Sequence, residues 1–519
     1  MGDYKLLNSE AIEPREYQLK IAETASNRNT LVVLPTGMGK TLISVLVGIN
    51  RLEKYPEGKI LITSPTRPLN AQHKKSFERF TKINPEEIVL ITGRIKPEER
   101  EKLYQKAKVV VATPQCIQND LQNRRLNLEN FSFITLDEAH RCVKDYAYTY
   151  IIKKFIEQSK HPLILGLTAS PGGSYERIDE IRKNLFIEAV EIRTEFDKDV
   201  ERYVMPIHRE WVYVDFPEEF KKIKILLEER FKEDIFWLRD HHFLQTLRPS
   251  KKSLLMLQKR FDSMMEEAKD YSLFWAIMRV SEAIKIEYAL ELLETQGISS
   301  LHEYFKKIEA SKKRTDKQLI KDPRIREAIR LVSDLQSKGV EHPKLKKVKN
   351  IIRDLVREKK DVKIIVFANY RSTVDKINEL LRKEGIVSEV LIGQATRERV
   401  GLTQEKQIET LGRFARNEFN VLVTTSIGEE GLDIVATDVA IFYEAVPSEI
   451  RSIQRRGRVG RQTFGKVIFL ITKDTRDEAY YWAAFHREKK MKGILYDLKE
   501  KELRKRKVKA KETLLDWLK

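Results

Sequence analysis

Two α/β domains with an all-helical domain inserted between them form the architecture this 519-residue sequence predicts, on three observations. Residues 29 to 170 alternate short apolar, β-rich runs with helical stretches. The same alternation returns near residue 362. Between them, from about 206 to 340, one strand-like run (EWVYVDF) is followed by helical periodicity alone. Short continuous apolar runs separated by helices indicate parallel strands buried on both faces.

In chain order, the runs of the first unit are NTLVVLP, KILITSP, EEIVLIT, KVVVATP, FSFITLDEA and LILGLTAS. Those of the second are VKIIVFA, VSEVLIG, NVLVTT, VAIFYEA and GKVIFLIT. In the middle segment Phe220, Ile223, Leu227, Phe231, Ile235 and Leu238 step by three and four, which is one buried helix face. Pro217 suits a first helical turn, and Gly297 and Gly339 read as helix stops. An irregular connection rarely exceeds ~15 residues inside a domain, so this segment is a domain of its own. The expected divisions are 1–205, 206–341, 342–485 and a basic helical tail, 486–519. In that tail six of the eight residues Arg504–Lys511 are Lys or Arg, either a solvated helix end or a phosphate contact.

Lys and Arg total 97 against 78 Asp and Glu, a formal net charge of +19. Such an excess points to a polyanion, nucleic acid first. A highly charged, heat-adapted surface is the other reading of a Lys/Glu/Ile-rich chain. The two cysteines, Cys116 and Cys142, form no C-x-x-C pair, which excludes a zinc framework and fits a reducing cytoplasm. The N-terminus is too polar for a signal peptide, and no apolar run approaches the ~18 residues of a membrane span. The expectation is a soluble intracellular protein with no membrane partner.

The stretch LPTGMGKT, Leu34–Thr41, sits between a strand-like and a helix-like run, as a phosphate-binding loop does. Gly37 and Gly39 let backbone N–H groups turn toward phosphates, Lys40 reaches the β/γ-phosphates and Thr41 holds Mg²⁺. The usual loop pattern wants a glycine where Leu34 stands. A second motif, ITLDEAH, places two carboxylates at the end of an apolar run. Asp137 suits Mg²⁺, and Glu138 suits orienting and deprotonating an attacking water. Together the two motifs indicate ATP or another nucleotide being hydrolysed with Mg²⁺.

DEAH with PTGMGKT resembles the superfamily-two helicases, whose phosphate loop does without the first glycine because Thr36-Gly37 makes the turn. The resemblance implies two RecA-like parallel-sheet domains around an inserted α-helical domain, with ATP at their cleft. REYQ resembles the adenine-reading element, with Gln18 the implied contact. SPTRPLNAQ, TGR and ATPQ resemble the strand-contact motifs of the first domain, implying Arg67, Arg94 and Thr113. LTAS resembles the motif that couples hydrolysis to movement, and coupling is implied for His140, Thr168, Ser170 and Gln454. In the second domain VFANYR implies Asn369 and Arg371 at nucleic acid. VLVTTSIGEEGLDI implies Thr424 and Thr425 at the strand backbone, with Gly431 and Asp433 at the nucleotide. QRRGRVGR implies Arg458 and Arg461 as arginine fingers.

The insert resembles the arrangement in archaeal Hef, the Fanconi anaemia M helicases and the double-stranded-RNA ATPases related to Dicer and the RIG-like receptors, and the segment Ile392–Leu411 resembles the Hef/Fanconi anaemia M branch. That implies an ATP-dependent DNA motor for branched DNA such as forks and four-way junctions, translocating 3′ to 5′. Hef carries a nuclease module after its helicase part, so such a module or partner would lie outside this chain. A translocase stimulated by double-stranded RNA, or an ATP-gated clamp that does not unwind, are the other readings. Only 20 residues, 434–453, separate Asp433 from Gln454, too few for a strand-splitting hairpin, so a wedge is expected elsewhere, the insert included. There Phe236, Trp237, Phe243, Phe274 and Trp275 either stack on bases or, as their apolar stripes favour, pack the helical core. Lys252, Lys259 and Arg260 are phosphate candidates, while His73, His161 and His208 show no ligand spacing.

Overall fold

A computed structural model describes residues 4–35, 37–203, 207–268, 273–392, 404–425, 437–444 and 465–517. The first domain is built on parallel strands β1 (Thr30–Val33), β2 (Lys59–Thr63), β3 (Ile88–Ile91), β4 (Val109–Ala112), β5 (Phe131–Asp137), β6 (Ile164–Thr168) and β7 (Ala189–Ile192). Their order across the sheet is β3-β4-β2-β5-β6-β1-β7. Val, Ile and Leu fill these strands because helices cover both faces, one apolar cluster on each side. The helices that matter here are α1 (Glu16–Asn27), α2 (Lys40–Lys54), α3 (Arg67–Phe80), α4 (Pro97–Lys106), α5 (Pro114–Gln122), α6 (Ala147–Gln158) and α7 (Tyr175–Asn184).

The second sheet is also parallel, with the order β10-β11-β9-β12-β13-β8. Its strands are β8 (Ile207–Val214), β9 (Ile364–Phe367), β10 (Ser388–Leu391), β11 (Val421–Thr424), β12 (Val439–Phe442) and β13 (Gly465–Thr472). Here the expected division at 206 shifts. Strand β8, read as the head of the helical insert, pairs along its whole length with β13, from Ile207↔Gly465 to Thr472↔Val214. Its alternation explains the placement: Trp211 and Tyr213 face outward, while Val212 and Val214 turn to the apolar side. Both ends of the insert therefore spring from the second domain.

The insert comprises α8 (Glu218–Asp240), α9 (Lys251–Ala268), α10 (Leu273–Thr295), α11 (Ile298–Glu309), α12 (Arg314–Lys321) and α13 (Pro323–Ser337). The predicted stripe of α8 is its buried face, Phe231 being half-buried. That face serves two cores. Phe220, Ile223 and Leu227 join α10–α13 near the second domain, and Ile235 and Leu238 join α9 and the start of α10 in a distal lobe. A buried ionic cluster separates the lobes: Arg230 pairs with Asp234, Glu282 and Asp322, and Arg279 with Asp234. Burial, with Asp234 close by, pushes the Glu282 carboxyl up to about 7 against the pull of Arg230.

After α14 (Pro343–Glu358), α15 (Arg371–Lys383) and α16 (Gln404–Ala415), the chain ends in one long helix, Arg476–Trp517. The tail expected from 486 is thus continuous with an element that starts on the second sheet. Its Tyr481 packs there, while Met491, Ile494, Leu495 and Leu498 enter the first domain's core. Tyr175 donates to Asp497 at 2.7 Å, Lys492 pairs with Glu195 at 2.9 Å, and Lys499 pairs with Asp197. Among the described residues no helix is long and apolar enough to cross a membrane.

Candidate nucleotide site and strand-contact edge

Parallel strands direct their carboxyl ends to one side of a sheet, where crevices form. In the first domain β5, β6 and β1 are neighbours, so the loops after them, DEAH, TAS and GMGK, converge. Leu34 N–H donates to Thr168 O at 3.1 Å, joining two of these loops directly.

The phosphate loop is built from left-handed glycines. Gly37 has φ +85° and Gly39 φ +72°, so the loop closes over the start of α2 without a glycine at Leu34, whose side chain is buried. Lys40 Nζ donates to Leu34 O at 3.0 Å, lying back across the loop. Two residues of α1 brace it from below. Tyr17 donates its hydroxyl to Met38 O at 2.7 Å, and Gln18 Nε2 donates to the same carbonyl at 3.3 Å. The Gln18 amide oxygen accepts Arg15 N–H at 2.8 Å. Gln18, expected at adenine, thus spends its amide in this structure on the loop, and it is buried. A Cβ at Gly39 would stand 2.4 Å from Gln18 Nε2. Gly39→Ala is therefore expected to cost about 1–2 kcal/mol for the left-handed backbone alone. It should also displace Gln18. Thermal melting with and without an ATP analogue checks this, and the analogue should stabilise the variant less than the parent.

Asp137 closes β5, whose residues are all buried. Its Oδ1 accepts the Glu138 amide at 2.9 Å, and its backbone carbonyl accepts the Tyr148 hydroxyl at 2.7 Å. Burial raises its carboxyl pKa, but the His73 hydrogen bond and the charge of Lys40 outweigh that and hold it below the usual carboxylate range. Glu138 has φ +53°, rare for a non-glycine residue and typical of strained functional turns. Its Oε2 lies 3.2 Å from His140 Nδ1, which is 3.3 Å from Thr168 Oγ1. Thr168 Oγ1 in turn accepts Ser170 N–H at 3.1 Å, and Ser170 Oγ donates to Met491 Sδ of the final helix at 2.8 Å. The predicted coupling residues of the first domain thus form one chain leading away from the acidic pair.

Thr41 stands in the first turn of α2, and Asp137 offers an ionised carboxylate. Two hard oxygen donors, one of them charged, fit Mg²⁺, which favours one or two protein oxygens together with phosphates over an all-protein cage. Such an ion would neutralise charge on the β- and γ-phosphate oxygens.

The other half of the sheet holds the expected strand contacts. Arg67 follows β2, Arg94 follows β3 and Thr113 follows β4, and β3-β4-β2 are neighbours, so the three share one edge. Arg94 is exposed there, and Arg67 and Thr113 are half-buried at the starts of α3 and α5. Arg100, which sequence reasoning missed, fixes this edge. It donates to both oxygens of Asp120 at 2.6 and 2.7 Å and to Ile95 O at 2.7 Å, tying the TGR turn to α5. In the second sheet Asn369 and Arg371 follow β9 and are exposed, and Thr425 follows the adjacent β11. Thr424 is not brought to the surface: it is buried and its hydroxyl donates to Leu391 O at 2.9 Å. Thr36, Gly431, Asp433, Gln454, Arg458 and Arg461 lie outside the described residues.

His73 is the second residue sequence reasoning missed, having been set aside for want of ligand spacing. Its Nε2 lies 2.9 Å from Asp137 Oδ2. The available signal was a polar residue on the inward stripe of α3, with Asn70 and Phe77. Among the insert's aromatics, Trp237 and Phe243 pack in the distal core, whereas Phe236 and Trp275 are 44 % and 56 % exposed. Lys252, Lys259 and Arg260 are exposed on α9.

Comparison with known proteins matches residues 15–178 to the DEAD/DEAH box helicase model and 343–463 to the helicase conserved C-terminal domain. Residues 219–339 match the helical bundle of a putative ATP-dependent RNA helicase. The crystal structure of the Pyrococcus furiosus Hef helicase domain is similar, with TM-score 0.72 and 45% identity, over 92% of this chain and 99% of that one. A putative ATP-dependent RNA helicase of Methanocaldococcus jannaschii is 42% identical over 96% of this chain and 62% of its own length. An ATP-dependent DNA helicase of Schizosaccharomyces pombe, fml1, is 30% identical over 88% and 57%. The chain thus spans about three fifths of the length of these two relatives.

Proposed function

Because the chain belongs to the Hef/Fanconi anaemia M branch of the superfamily-two DEAD/DEAH box helicases and is an ATP-dependent helicase, we propose that it is a motor for branched DNA. On this reading Lys40 and the Gly37–Gly39 loop hold the β/γ-phosphates, and Thr41 with Asp137 hold Mg²⁺. Glu138 takes the proton of the attacking water. Arg458 and Arg461, from the second domain, meet the γ-phosphate, so each hydrolysis releases one domain from the other. Movement reaches the strand through Arg67, Arg94 and Thr113 on one side and Asn369, Arg371 and Thr425 on the other. It is relayed through the Glu138–His140–Thr168–Ser170 chain.

The observation that supports branched DNA is the joint between the insert and the second domain. Gln296, just past α10, donates to Glu444 Oε1 at 2.5 Å, and Thr373 donates to the Gln296 amide oxygen. Glu444 Oε2 accepts Asn369 N–H at 2.5 Å. Tyr370 donates to Glu291 at 2.9 Å, and Arg476 pairs with Glu287 and Glu294 at 2.8 and 3.1 Å. These buried and charged contacts fasten the insert beside the very loop expected at the strand. Its distal lobe, with Phe236, Trp275 and the basic face of α9 exposed, then has the chemistry to meet a second arm of a junction. Base–aromatic stacking contributes ~1–3 kcal/mol per base.

The double substitution Phe236→Ala/Trp275→Ala is expected to weaken forked-DNA binding by roughly tenfold or more, taking the low end of that stacking range. Basal ATP turnover should be unaffected, because both side chains are exposed and far in sequence from every nucleotide motif. The measurement is ATPase rate and affinity against forked DNA, linear duplex DNA, single strands and duplex RNA. Fork affinity unchanged in the double variant would remove the lobe from substrate recognition. A second reading, a motor on RNA, is favoured by the likeness of the helical bundle and of the whole chain to putative ATP-dependent RNA helicases, the Methanocaldococcus relative among them. Strongest stimulation by duplex RNA in the same panel would establish it instead.

A further inference from the structure

His73 and Asp137 meet where solvent does not reach: the imidazole is 2 % exposed and Nε2 stands 2.9 Å from Oδ2. An ionised carboxylate only accepts hydrogen bonds, so Nε2 carries the proton and donates. Nδ1 has no protein partner among the described residues, and the ring's polar chemistry is committed to this one contact. Asp137 is thereby held at both oxygens, Oδ1 by the Glu138 amide and Oδ2 by His73, while Tyr148 holds its backbone carbonyl. Packing alone does not call for a histidine here, since Phe77 on the same stripe is purely apolar. Asn70, the third member of the stripe, is likewise committed, donating to Ser64 O at 2.8 Å and Thr66 O at 2.9 Å within the strand-contact motif. Strand β2, from which α3 departs, lies between β4 and β5, so this ring reaches from the strand-contact half of the sheet to the nucleotide half.

We propose that His73 is a positioning residue for the magnesium-binding carboxylate. By donating to Oδ2 it fixes the orientation in which Asp137 meets the ion. This rests on the reading of Asp137 as a Mg²⁺ ligand. Partners one step removed from a metal typically change metal affinity or activity about 10–100-fold when lost.

The test uses the full chain with His73→Ala, His73→Gln and Asp137→Asn. Magnesium is titrated with two readouts: ATP turnover on forked DNA, and binding of a fluorescent non-hydrolysable ATP analogue. His73→Ala should raise the half-saturating Mg²⁺ about 10–100-fold in both readouts. Its affinity for the analogue in EDTA should stay at the parent value. His73→Gln, whose amide N–H stands where Nε2–H does, should return the magnesium midpoint close to the parent. Should the alanine variant fail to fold, His73→Asn, whose amide stops short of Oδ2, takes its place. An unchanged midpoint in His73→Ala with a lowered melting temperature would overturn the proposal and leave a packing role. So would a glutamine variant indistinguishable from alanine. Asp137→Asn separates the two levels: if it too leaves the midpoint unchanged, the metal reading of Asp137 has failed, and if it shifts while His73→Ala does not, only the role of His73 has.

Discussion

Glu138→Gln is expected to lower ATP turnover about 10²–10⁴-fold, the range a general base supplies, with nucleotide and DNA binding retained. The substitution keeps size and shape. A glutamine oxygen can still accept from His140 Nδ1, now at 3.2 Å from Glu138 Oε2, so the strained turn at φ +53° keeps its anchor. What is lost is the ability to take a proton from water. Because binding is spared, the variant should accumulate as an ATP-bound complex on DNA, dissociating more slowly with ATP than without. Steady-state turnover on forked DNA, together with analogue binding, measures both parts. Turnover within a few-fold of the parent would mean that another group activates the water.

Lys40→Ala should cost about 10²–10³ in turnover, as loss of one preorganised charge-stabilising donor does. Unlike Glu138→Gln, it should also weaken nucleotide binding, because the lysine meets phosphates in the ground state as well as in the transition state. In the parent, Lys40 Nζ donates to Leu34 O at 3.0 Å from a half-buried position. DNA affinity without nucleotide should match the parent, since the residues proposed to contact the strand follow β2, β3 and β4 on the far half of the sheet. Loss of that affinity in a folded variant would count against the division of the sheet into a nucleotide half and a strand half.

Much of this was legible in the residues. The apolar runs are the strands, and the stripe Phe220–Leu238 is the packed face of α8. Leu34 raised no obstacle, because the turn is made at Gly37 and Gly39, where φ is positive. Thr424 was not legible as a buried residue. A hydroxyl at the end of a strand reads the same whether it faces a ligand or caps a neighbouring carbonyl, as it does at Leu391.

Local pattern alone determined the element types and the helical nature of the insert, and it marked the candidate phosphate loop and acidic pair. These depend on period, glycine conformation and neighbouring residues, all written within a few positions of one another. Tertiary structure alone decided that β8 joins the second sheet and that the final helix seats Met491 against Ser170 of the first domain. It alone placed His73 on Asp137, 64 residues away. Which strand accepts an edge, or which helix fills a groove, is settled by burial of surfaces that meet only after long loops have closed. A polar side chain on an inward helix stripe acquires its partner from whichever strand lies beneath it, and strand order, unlike strand identity, is carried by no local run of residues.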